Sequence, residues 1–156
     1  MKKKAIIISI QGLKLTNKEK LLLSKENPWG LILFKRNIKS LSQITILIKN
    51  IKIQTKDKNF PILIDEEGIT VSRLSNIINH NISANYFGNL YLINKKLSIQ
   101  IYKKYLNSLC KNLTNIGINI NTIPVLDILR KNTSKVIGSR SFSNKKEIVK
   151  ILGKIT

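Results

Sequence analysis

The octapeptide PILIDEEG at residues 61–68 joins a short apolar run to an acidic turn, and this junction decides the fold. Ile62 to Ile64 is a short apolar run of the kind that forms a strand buried on both faces of a parallel sheet. In parallel α/β folds, ligands bind at the carboxyl ends of the strands. We therefore expect Asp65 and the acidic residues after it to face a ligand.

Apolar runs and amphipathic segments alternate before this junction. Ala5 to Ile10 predicts a first strand buried on both faces, and Leu31 to Phe34 predicts a second strand. Between them, Thr16 and Glu19 form a capping-box pattern that predicts a helix. Ser40 opens a second helix, in which apolar residues recur at helical spacing. The chain therefore begins in the order β-α-β-α-β.

The pattern after the acidic turn is less regular. Residues 70–87 are rich in Ser and Asn and predict a long loop. Leu90 to Ile116 has apolar residues at every fourth position and predicts one long helix. Ile118 to Ile128 predicts a fourth extended segment, and a last helix begins at Asn144. The order β-α-β-α-β-loop-α-β-α indicates parallel strands with right-handed crossovers, in a doubly wound sheet or in part of a (β/α)8 barrel.

The chain is strongly basic, but the kind of basic residue argues against a specific nucleic-acid partner. Its 156 residues include 28 Lys and Arg against 8 Asp and Glu, a formal net charge of +20. Only 4 of the 28 basic residues are arginine, the side chain that usually forms bidentate hydrogen bonds with bases and phosphates. We attribute the excess of Lys, Ile and Asn to A- and T-rich codons. A basic nucleic-acid-binding protein is retained as an alternative.

Several other classes of protein are not expected from this sequence. Cys110 is the only cysteine, which excludes an internal disulfide, and we expect it to be buried as a small apolar residue. His80, the only histidine, is expected at the surface. The chain contains no Gly-rich nucleotide-binding motif, and no apolar run approaches the roughly 20 residues that cross a bilayer. We expect a cytoplasmic protein with no membrane partner, metal or cofactor.

Three groups of polar residues follow predicted strands and are candidates for a binding site. Carboxylates accept hydrogen bonds and guanidinium groups donate them in fixed directions, which suits the several hydroxyls of a sugar. The same residues are also able to form purely structural ion pairs. No Ser-His-Asp or Cys-His set can be assembled. The candidates are Asp65, Glu66, Glu67, Arg73, Asp127 and Arg140.

Four ordered motifs run through the chain: GLILFKRN at residues 30–37, IDEEG at 64–68 with Val71 and Arg73, PVLD at 124–127, and VIGSRSFS at 136–143. They resemble the motifs of the glycoside hydrolase family 3 N-terminal domain, in particular its bacterial β-N-acetylhexosaminidase branch. The start of the chain is similar too, so the resemblance spans essentially all 156 residues. It implies a (β/α)8 TIM-type barrel, of which residues 1–156 are the N-terminal half and a partial domain.

The resemblance also implies a function and roles for individual residues. Cytoplasmic members of this branch release terminal β-linked N-acetylglucosamine from cell-wall fragments during peptidoglycan recycling. Asp65, Arg73 and Arg140 match residues that bind the N-acetylglucosamine-containing saccharide. Glu67 and Asp127 are assigned to the support of the binding rim.

The chain departs from the family pattern at two places. Ile69 and Thr70 replace a usual Gly and Arg, and this makes the geometry of the turn an open point because a β-branched residue resists positive φ. The family's Lys-His-Phe-Pro-Gly-His-Gly segment, its Asp-His acid/base loop and its aspartate nucleophile have no match in residues 1–156. Glu66 and Glu67 are possible substitutes in chemical type only, because nothing in the sequence indicates that either reaches the anomeric carbon.

A retaining glycosidase needs a nucleophile and an acid/base group. We therefore expect no catalytic residues in this chain and no activity of the chain alone, as a truncated copy or as one part of a split enzyme with a separately encoded C-terminal half. The alternatives are a non-catalytic sugar-binding half-barrel, dimerised through its open edges, and a gene relic.

Overall fold

The computed structural model describes residues 2–79 and 81–156, and the strands of these residues form one parallel sheet. The four strands lie across the sheet in the order in which they occur along the chain, and all three pairings between neighbours are parallel. A doubly wound sheet reverses its strand order at one point, whereas here each strand adds to the same side, as in a (β/α)8 barrel. This confirms the predicted first four strands of a barrel. The strands are β1 (Lys4–Ile8), β2 (Pro28–Leu33), β3 (Ile62–Ile64) and β4 (Ile120–Asn121).

Helices occupy the connections between the strands. One helix lies in each of the first two connections, two more lie between β3 and β4, and one follows β4. Short 3-10 turns cover Lys35–Asn37 and Gly138–Arg140. The helices are α1 (Asn17–Glu26), α2 (Leu41–Thr55), α3 (Ala84–Ile93), α4 (Lys95–Ile116) and α5 (Lys146–Gly153).

The polar residues that precede α1 and α2 cap these helices as the sequence predicts. The Thr16 hydroxyl accepts the backbone N–H of Glu19, and the Glu19 carboxylate accepts the backbone N–H of Thr16 at 2.8 Å, which completes the capping box. Ser40 caps α2 by accepting the N–H of Gln43 at 3.3 Å. Asn27 ends α1 in the left-handed region with φ of 46°, so the chain turns directly into β2.

The chain divides into two compact units, each made of several segments. The first unit comprises residues 1–65, 73–79 and 112–122 and contains the whole sheet. The second comprises residues 66–72, 80–111 and 123–156. The core of the first unit is made by buried aliphatic side chains of β2, β3 and α2, namely Leu31, Leu33, Ile44, Leu47, Ile48, Ile51, Ile62 and Ile64.

The second unit is built around an aromatic cluster. The ring centroids of Phe87 and Tyr102 are 4.7 Å apart, and those of Tyr102 and Phe142 are 5.5 Å apart in an edge-on arrangement. Leu152 of α5 packs in the same cluster. A Cβ atom on Gly88 would lie 1.7 Å from the carbonyl oxygen of Phe142, so the close approach of α3 to this residue requires glycine.

The first strand differs from its prediction in extent and in burial. It covers Lys4–Ile8 rather than Ala5 to Ile10, and its residues are largely exposed, with Ile6 at 52% and Ile7 at 45%. The reason is its place at the edge of the sheet: among the described residues, β1 has a strand neighbour on one side only. A continuous apolar run identifies a strand but not what covers it.

The connection between β3 and β4 contains two helices where the sequence predicts a loop and one long helix. Helix α3 begins at Ala84, inside the predicted loop, because Ser83 caps its first turn. Asn94 is extended and accepts the N–H of Leu97 through its side-chain oxygen at 3.0 Å. Asn94 therefore ends α3 and starts α4, and it divides the helix predicted from Leu90 to Ile116.

Smaller differences concern the ends of other elements. The predicted fourth segment from Ile118 to Ile128 forms a strand only at Ile120–Asn121. Strand β2 begins at Pro28 rather than Leu31, and the last helix begins at Lys146 rather than Asn144.

Predictions for single residues have mixed outcomes. Cys110 is exposed, not buried, because it follows the buried Leu109 and lies off the buried stripe of α4. His80 lies outside the described residues. Within residues 2–79 and 81–156, no helix combines the length and the apolar character needed to span a membrane.

Candidate functional site

In the first unit, a row of residues lies just past the carboxyl ends of three neighbouring strands. The register aligns the last residues of β2, β3 and β4. The residues that follow them are Phe34, Asp65 and Thr122. The backbone pairing between β3 and β4 continues one residue past the end of β4, because the Thr122 N–H donates to the last carbonyl of β3 at 3.0 Å.

Asp65 is held from two sides within this row. Thr122 Oγ1 donates to Asp65 Oδ1 at 2.8 Å, and Arg73 Nη2 donates to Asp65 Oδ2 at 3.0 Å. The Arg73 guanidinium also lies 5.8 Å from the ring centroid of Phe34, within the range of a cation–π contact. The side chains of Asp65 and Arg73 keep 22% and 27% of their surface exposed. The two predicted site residues are thus paired, held in one orientation and still accessible.

In the second unit, Glu67 and Arg140 form a bidentate ion pair. Arg140 Nε donates to Glu67 Oε2 at 2.7 Å, and Nη2 donates to Oε1 at 2.8 Å. Two parallel bonds fix the plane of the guanidinium as well as its position. The carboxylate side chain is 11% exposed and the arginine 22%. Two predicted residues from separate motifs, 73 positions apart, therefore meet in the structure.

The acidic turn that carries Glu67 is closed by its own hydrogen bonds. The backbone N–H of Glu67 donates to the carbonyl of Val71 at 2.8 Å. The Ser72 hydroxyl donates to Glu66 Oε1 at 2.6 Å, and Glu66 is fully buried. A fully buried carboxylate has no surface to offer a saccharide, so Glu66 is not placed to act as a catalytic substitute.

The Ile69-Thr70 departure does not strain the turn. Gly68 takes the unusual conformation, with φ of +137°, and a Cβ there would lie 2.2 Å from the carbonyl oxygen of Ile82. Ile69 is not among the described non-glycine residues with positive φ. Thr70 Oγ1 shares a hydrogen bond of 3.0 Å with Ser139 Oγ, which joins the acidic turn to the turn that carries Arg140.

Aromatic side chains line the space beside the Glu67–Arg140 pair. Tyr105, Phe87 and Phe142 contribute with them to a cavity of about 20 Å³, which has room for about one water molecule. Burial raises the pKa of Tyr105 to about 12, and the nearby Glu66 and Tyr102 add to the rise. Tyr105 therefore remains a neutral phenol near neutral pH. A sugar ring does not fit this cavity, so the predicted sugar contact of Arg140 would require the exposed side of its guanidinium.

The larger cavities of the first unit lie elsewhere. One of about 500 Å³ is lined by residues of the loop before α1, of α1 and of α2. Another of about 520 Å³ is lined by α2, the residues just after it and the end of α4. None of the predicted site residues lines either cavity, so cavity size alone would point away from the residues selected by their chemistry.

Asp127 is placed by its backbone. Its carbonyl oxygen accepts a hydrogen bond from the Ser141 hydroxyl, and its side chain is exposed. Ser141 directly follows Arg140, so this bond ties the PVLD motif to the chain beside the Glu67–Arg140 pair. The role of the Asp127 carboxylate as a rim support stays a prediction. In the part of the chain that the structure describes, no group of three or more His, Cys, Asp or Glu residues is arranged to hold a metal ion.

Three contacting residues were not among the sequence candidates. Phe34 and Thr122 each follow a strand end, so the rule that selected Asp65 would have selected them once the strand ends were known. Ser72 carries no such signal, because a serine in a polar turn is common and only the fold brings its hydroxyl to a buried carboxylate.

Comparisons with known proteins identify the family of the chain. The family model for the glycosyl hydrolase family 3 N-terminal domain matches residues 2–156. A β-hexosaminidase of Thioalkalivibrio sulfidiphilus is 30% identical over 144 residues, which are 92% of this chain and 41% of the relative. A β-hexosaminidase of Haemophilus ducreyi is 34% identical over 141 residues, which are 90% of this chain and 40% of the relative.

A solved structure is similar over nearly the whole chain. NagZ from Neisseria gonorrhoeae, in complex with N-trifluoroacetyl-D-glucosamine, matches with a TM-score of 0.88 and 27% identity. The match covers 98% of this chain and 46% of that one. The chain thus spans about two-fifths of the length of these curated relatives and slightly less than half of the solved protein. Motifs, strand order and matches lead to one conclusion: the chain belongs to the family of glycosyl hydrolase family 3 N-terminal domains.

Proposed function

We propose that this chain provides the sugar-binding part of a β-N-acetylhexosaminidase. The observation that carries the proposal is the pair of arginine–carboxylate contacts, Asp65–Arg73 and Glu67–Arg140, made by residues that the family resemblance assigns to saccharide binding or to its support. The substrate class is a saccharide with terminal β-linked N-acetylglucosamine. The setting is peptidoglycan recycling in the cytoplasm.

The paired side chains retain the capacity to bind hydroxyl groups. A carboxylate has about four lone-pair positions, and Thr122 and Arg73 each supply one hydrogen bond to Asp65. The exposed parts of Asp65 and Arg73 in the first unit, and separately the exposed part of Arg140 in the second, offer acceptors and donors in fixed directions. This rigidity favours recognition of a sugar, because little side-chain freedom is lost when it binds.

Hydrolysis requires more than these residues supply. Glu66 is fully buried and Glu67 receives both bonds from Arg140, so neither is oriented to attack an anomeric carbon or to protonate a leaving group. We propose that residues 1–156 bind N-acetylglucosamine without hydrolysing it. The nucleophile and the acid/base group would come from further polypeptide, such as a C-terminal half that completes the barrel.

Isothermal titration calorimetry with N-acetylglucosamine tests the binding proposal. Replacing Arg140 by Lys removes the bidentate geometry, and we expect the affinity to fall on the order of tenfold, since one charged hydrogen bond is worth about 1.5–3 kcal/mol. Arg130→Lys, at an exposed position of the second unit, is the matched control and should leave the affinity unchanged. If the unaltered chain does not bind N-acetylglucosamine in this titration, the proposal is rejected.

A chromogenic β-N-acetylglucosaminide tests the catalytic part. We expect no turnover above buffer by the pure chain, since general acid/base assistance alone is worth about 10²- to 10⁴-fold. Turnover that Glu66→Gln or Glu67→Gln abolishes would make the acidic turn catalytic and contradict the proposal. Turnover that neither substitution changes would indicate a contaminating enzyme.

The basic composition does not favour the nucleic-acid alternative. Arg73 and Arg140 bond to carboxylates, and Arg36 donates to the Ile10 carbonyl at 3.1 Å, so three of the 4 arginines are engaged within the protein. If the +20 charge attracts duplex DNA, we expect the binding to vanish at about 150 mM salt, as generic electrostatic binding does.

A further inference from the structure

Glu66 is a buried carboxylate that takes no part in the proposed sugar binding. It is fully buried, and the Ser72 hydroxyl donates to its Oε1 atom at 2.6 Å. Removing a carboxylate from water is unfavourable unless hydrogen bonds compensate for the lost hydration. A donor at this short distance makes a charge-assisted bond, roughly twice as strong as a bond between neutral groups. The pair is therefore a strong local constraint on the acidic turn.

The constraint acts at the base of the turn that presents Glu67. The side chains of Glu66 and Ser72 bond to each other. The residues that lie next to them within the turn are also paired, because the Glu67 backbone N–H donates to the Val71 carbonyl at 2.8 Å. These two successive pairings fix the backbone from which the Glu67 side chain projects. The direction of that side chain decides whether its two oxygens meet Nε and Nη2 of Arg140 together.

We propose that Glu66 and Ser72 are positioning residues for Arg140, acting through the acidic turn and the carboxylate of Glu67. The inference rests on the proposed function only in that Arg140 is there the residue that contacts the sugar. Loss of the Ser72–Glu66 bond loosens the turn, and the bidentate pair then spends part of its time with one bond or none. The guanidinium of Arg140 becomes less fixed, although no group that touches the sugar has been altered.

The side-chain Nε–H of Arg140 reports on this positioning directly. Its NMR signal in the full chain is identified by its disappearance in Arg140→Lys, and its hydrogen-exchange rate measures how often the bond to Glu67 opens. For Ser72→Ala we expect exchange to quicken on the order of fivefold, as the loss of one hydrogen bond predicts. Ser72→Thr keeps the hydroxyl and should restore slow exchange.

Matched controls separate positioning from a general loss of stability. Ser108→Ala, at an exposed position of α4, should leave the Arg140 signal unchanged. If Ser72 has only a structural role, Ser72→Ala lowers the urea midpoint without changing the exchange of Arg140 Nε–H, and that result overturns the proposal.

Should Ser72→Ala fail to fold, Glu66→Gln provides a second variant. It keeps the acceptor but halves the strength of the bond to Ser72, so the exchange of Arg140 Nε–H should rise about two- to threefold. Unchanged exchange in this variant also overturns the proposal.

Sugar affinity provides the second readout and distinguishes the two proposals. In Ser72→Ala, affinity for N-acetylglucosamine should fall by about the factor by which Arg140 exchange quickens. If the unaltered chain binds no sugar, the proposed function fails, and the exchange measurement still decides whether Glu66 and Ser72 position Arg140. If affinity is unchanged while exchange quickens, Arg140 is positioned by these residues but does not contact the sugar.

Discussion

Replacing Glu67 by Ala removes the carboxylate that receives both N–H bonds of Arg140, at 2.7 and 2.8 Å. A hydrogen bond to a charged group contributes about 1.5–3 kcal/mol, and breaking a buried ion pair from one side costs about 3–5 kcal/mol. The Arg140 side chain keeps 22% of its surface exposed, so water can partly replace the lost partner. We therefore expect the free energy of unfolding to fall by about 2–3 kcal/mol.

Urea denaturation of the full chain measures this loss. With a slope of about 2 kcal/mol per molar urea, the midpoint should move by roughly 1 M, and an unchanged slope would indicate that the unfolding reaction is the same. A double-mutant cycle with Arg140→Ala should give a coupling free energy of about 1.5–3 kcal/mol. Glu147→Ala is the control, because this exposed residue in the first turn of α5 should contribute only about 0.5 kcal/mol through the helix dipole.

A decrease of less than about 0.5 kcal/mol in the free energy of unfolding of Glu67→Ala, the size of an ordinary surface substitution, would contradict this expectation. A coupling indistinguishable from zero would show the same thing, because it would mean that Arg140 loses nothing when its partner is removed. Either result would make the bidentate pair a solvated contact and weaken the case for a fixed guanidinium.

Packing, titration and association of the chain provide further tests. Gly88→Ala places a Cβ 1.7 Å from the Phe142 carbonyl oxygen and should destabilise the chain by about 1–3 kcal/mol or more in thermal unfolding, whereas Gly12→Ala, with nothing within 4 Å, should have no packing cost. Glu66→Gln should lower the pKa of Tyr105 in a spectroscopic titration, because it removes a negative neighbour of the phenolate. Since the folded-state pKa of Tyr105 is raised to about 12, its contribution to stability should be complete below about pH 10 and be lost as the pH rises towards 12, and Tyr105→Phe should remove that loss. Sedimentation should detect self-association through the exposed edge of β1, and a compact monomer with cooperative unfolding would contradict this.

Local chemistry explains which parts of the fold were predictable. The capping box of Thr16 and Glu19 and the cap at Ser40 act within a few residues, so their sequence patterns were sufficient. Asp65 was found because its position directly after a strand already implies its place on the sheet. The burial of β1 was wrongly predicted because burial depends on which strands pair with it. The residues of β1 themselves do not indicate whether it lies at the edge or in the middle of the sheet.

Contacts between distant residues were not predictable in the same way. The resemblance identified Arg140, and Glu67 was expected only as a support, but their pairing across 73 positions required the fold. The full burial of Glu66 between the partly exposed Asp65 and Glu67 was not predictable either, since three consecutive carboxylates look alike in sequence. Asn94 shows the same difficulty for helices, because one capping side chain outweighs an uninterrupted apolar period.

The sequential order of the strands has a consequence for how the chain acquires its structure during synthesis. Residues up to Ile64 already carry three neighbouring strands and both helices that connect them, so this portion can assemble while later residues are still being added. Strand β4 joins only after the intervening 55 residues, 65–119, have emerged. Until then β3 is a second open edge, and a ribosome that pauses in this stretch leaves an intermediate that is prone to pair with another nascent chain.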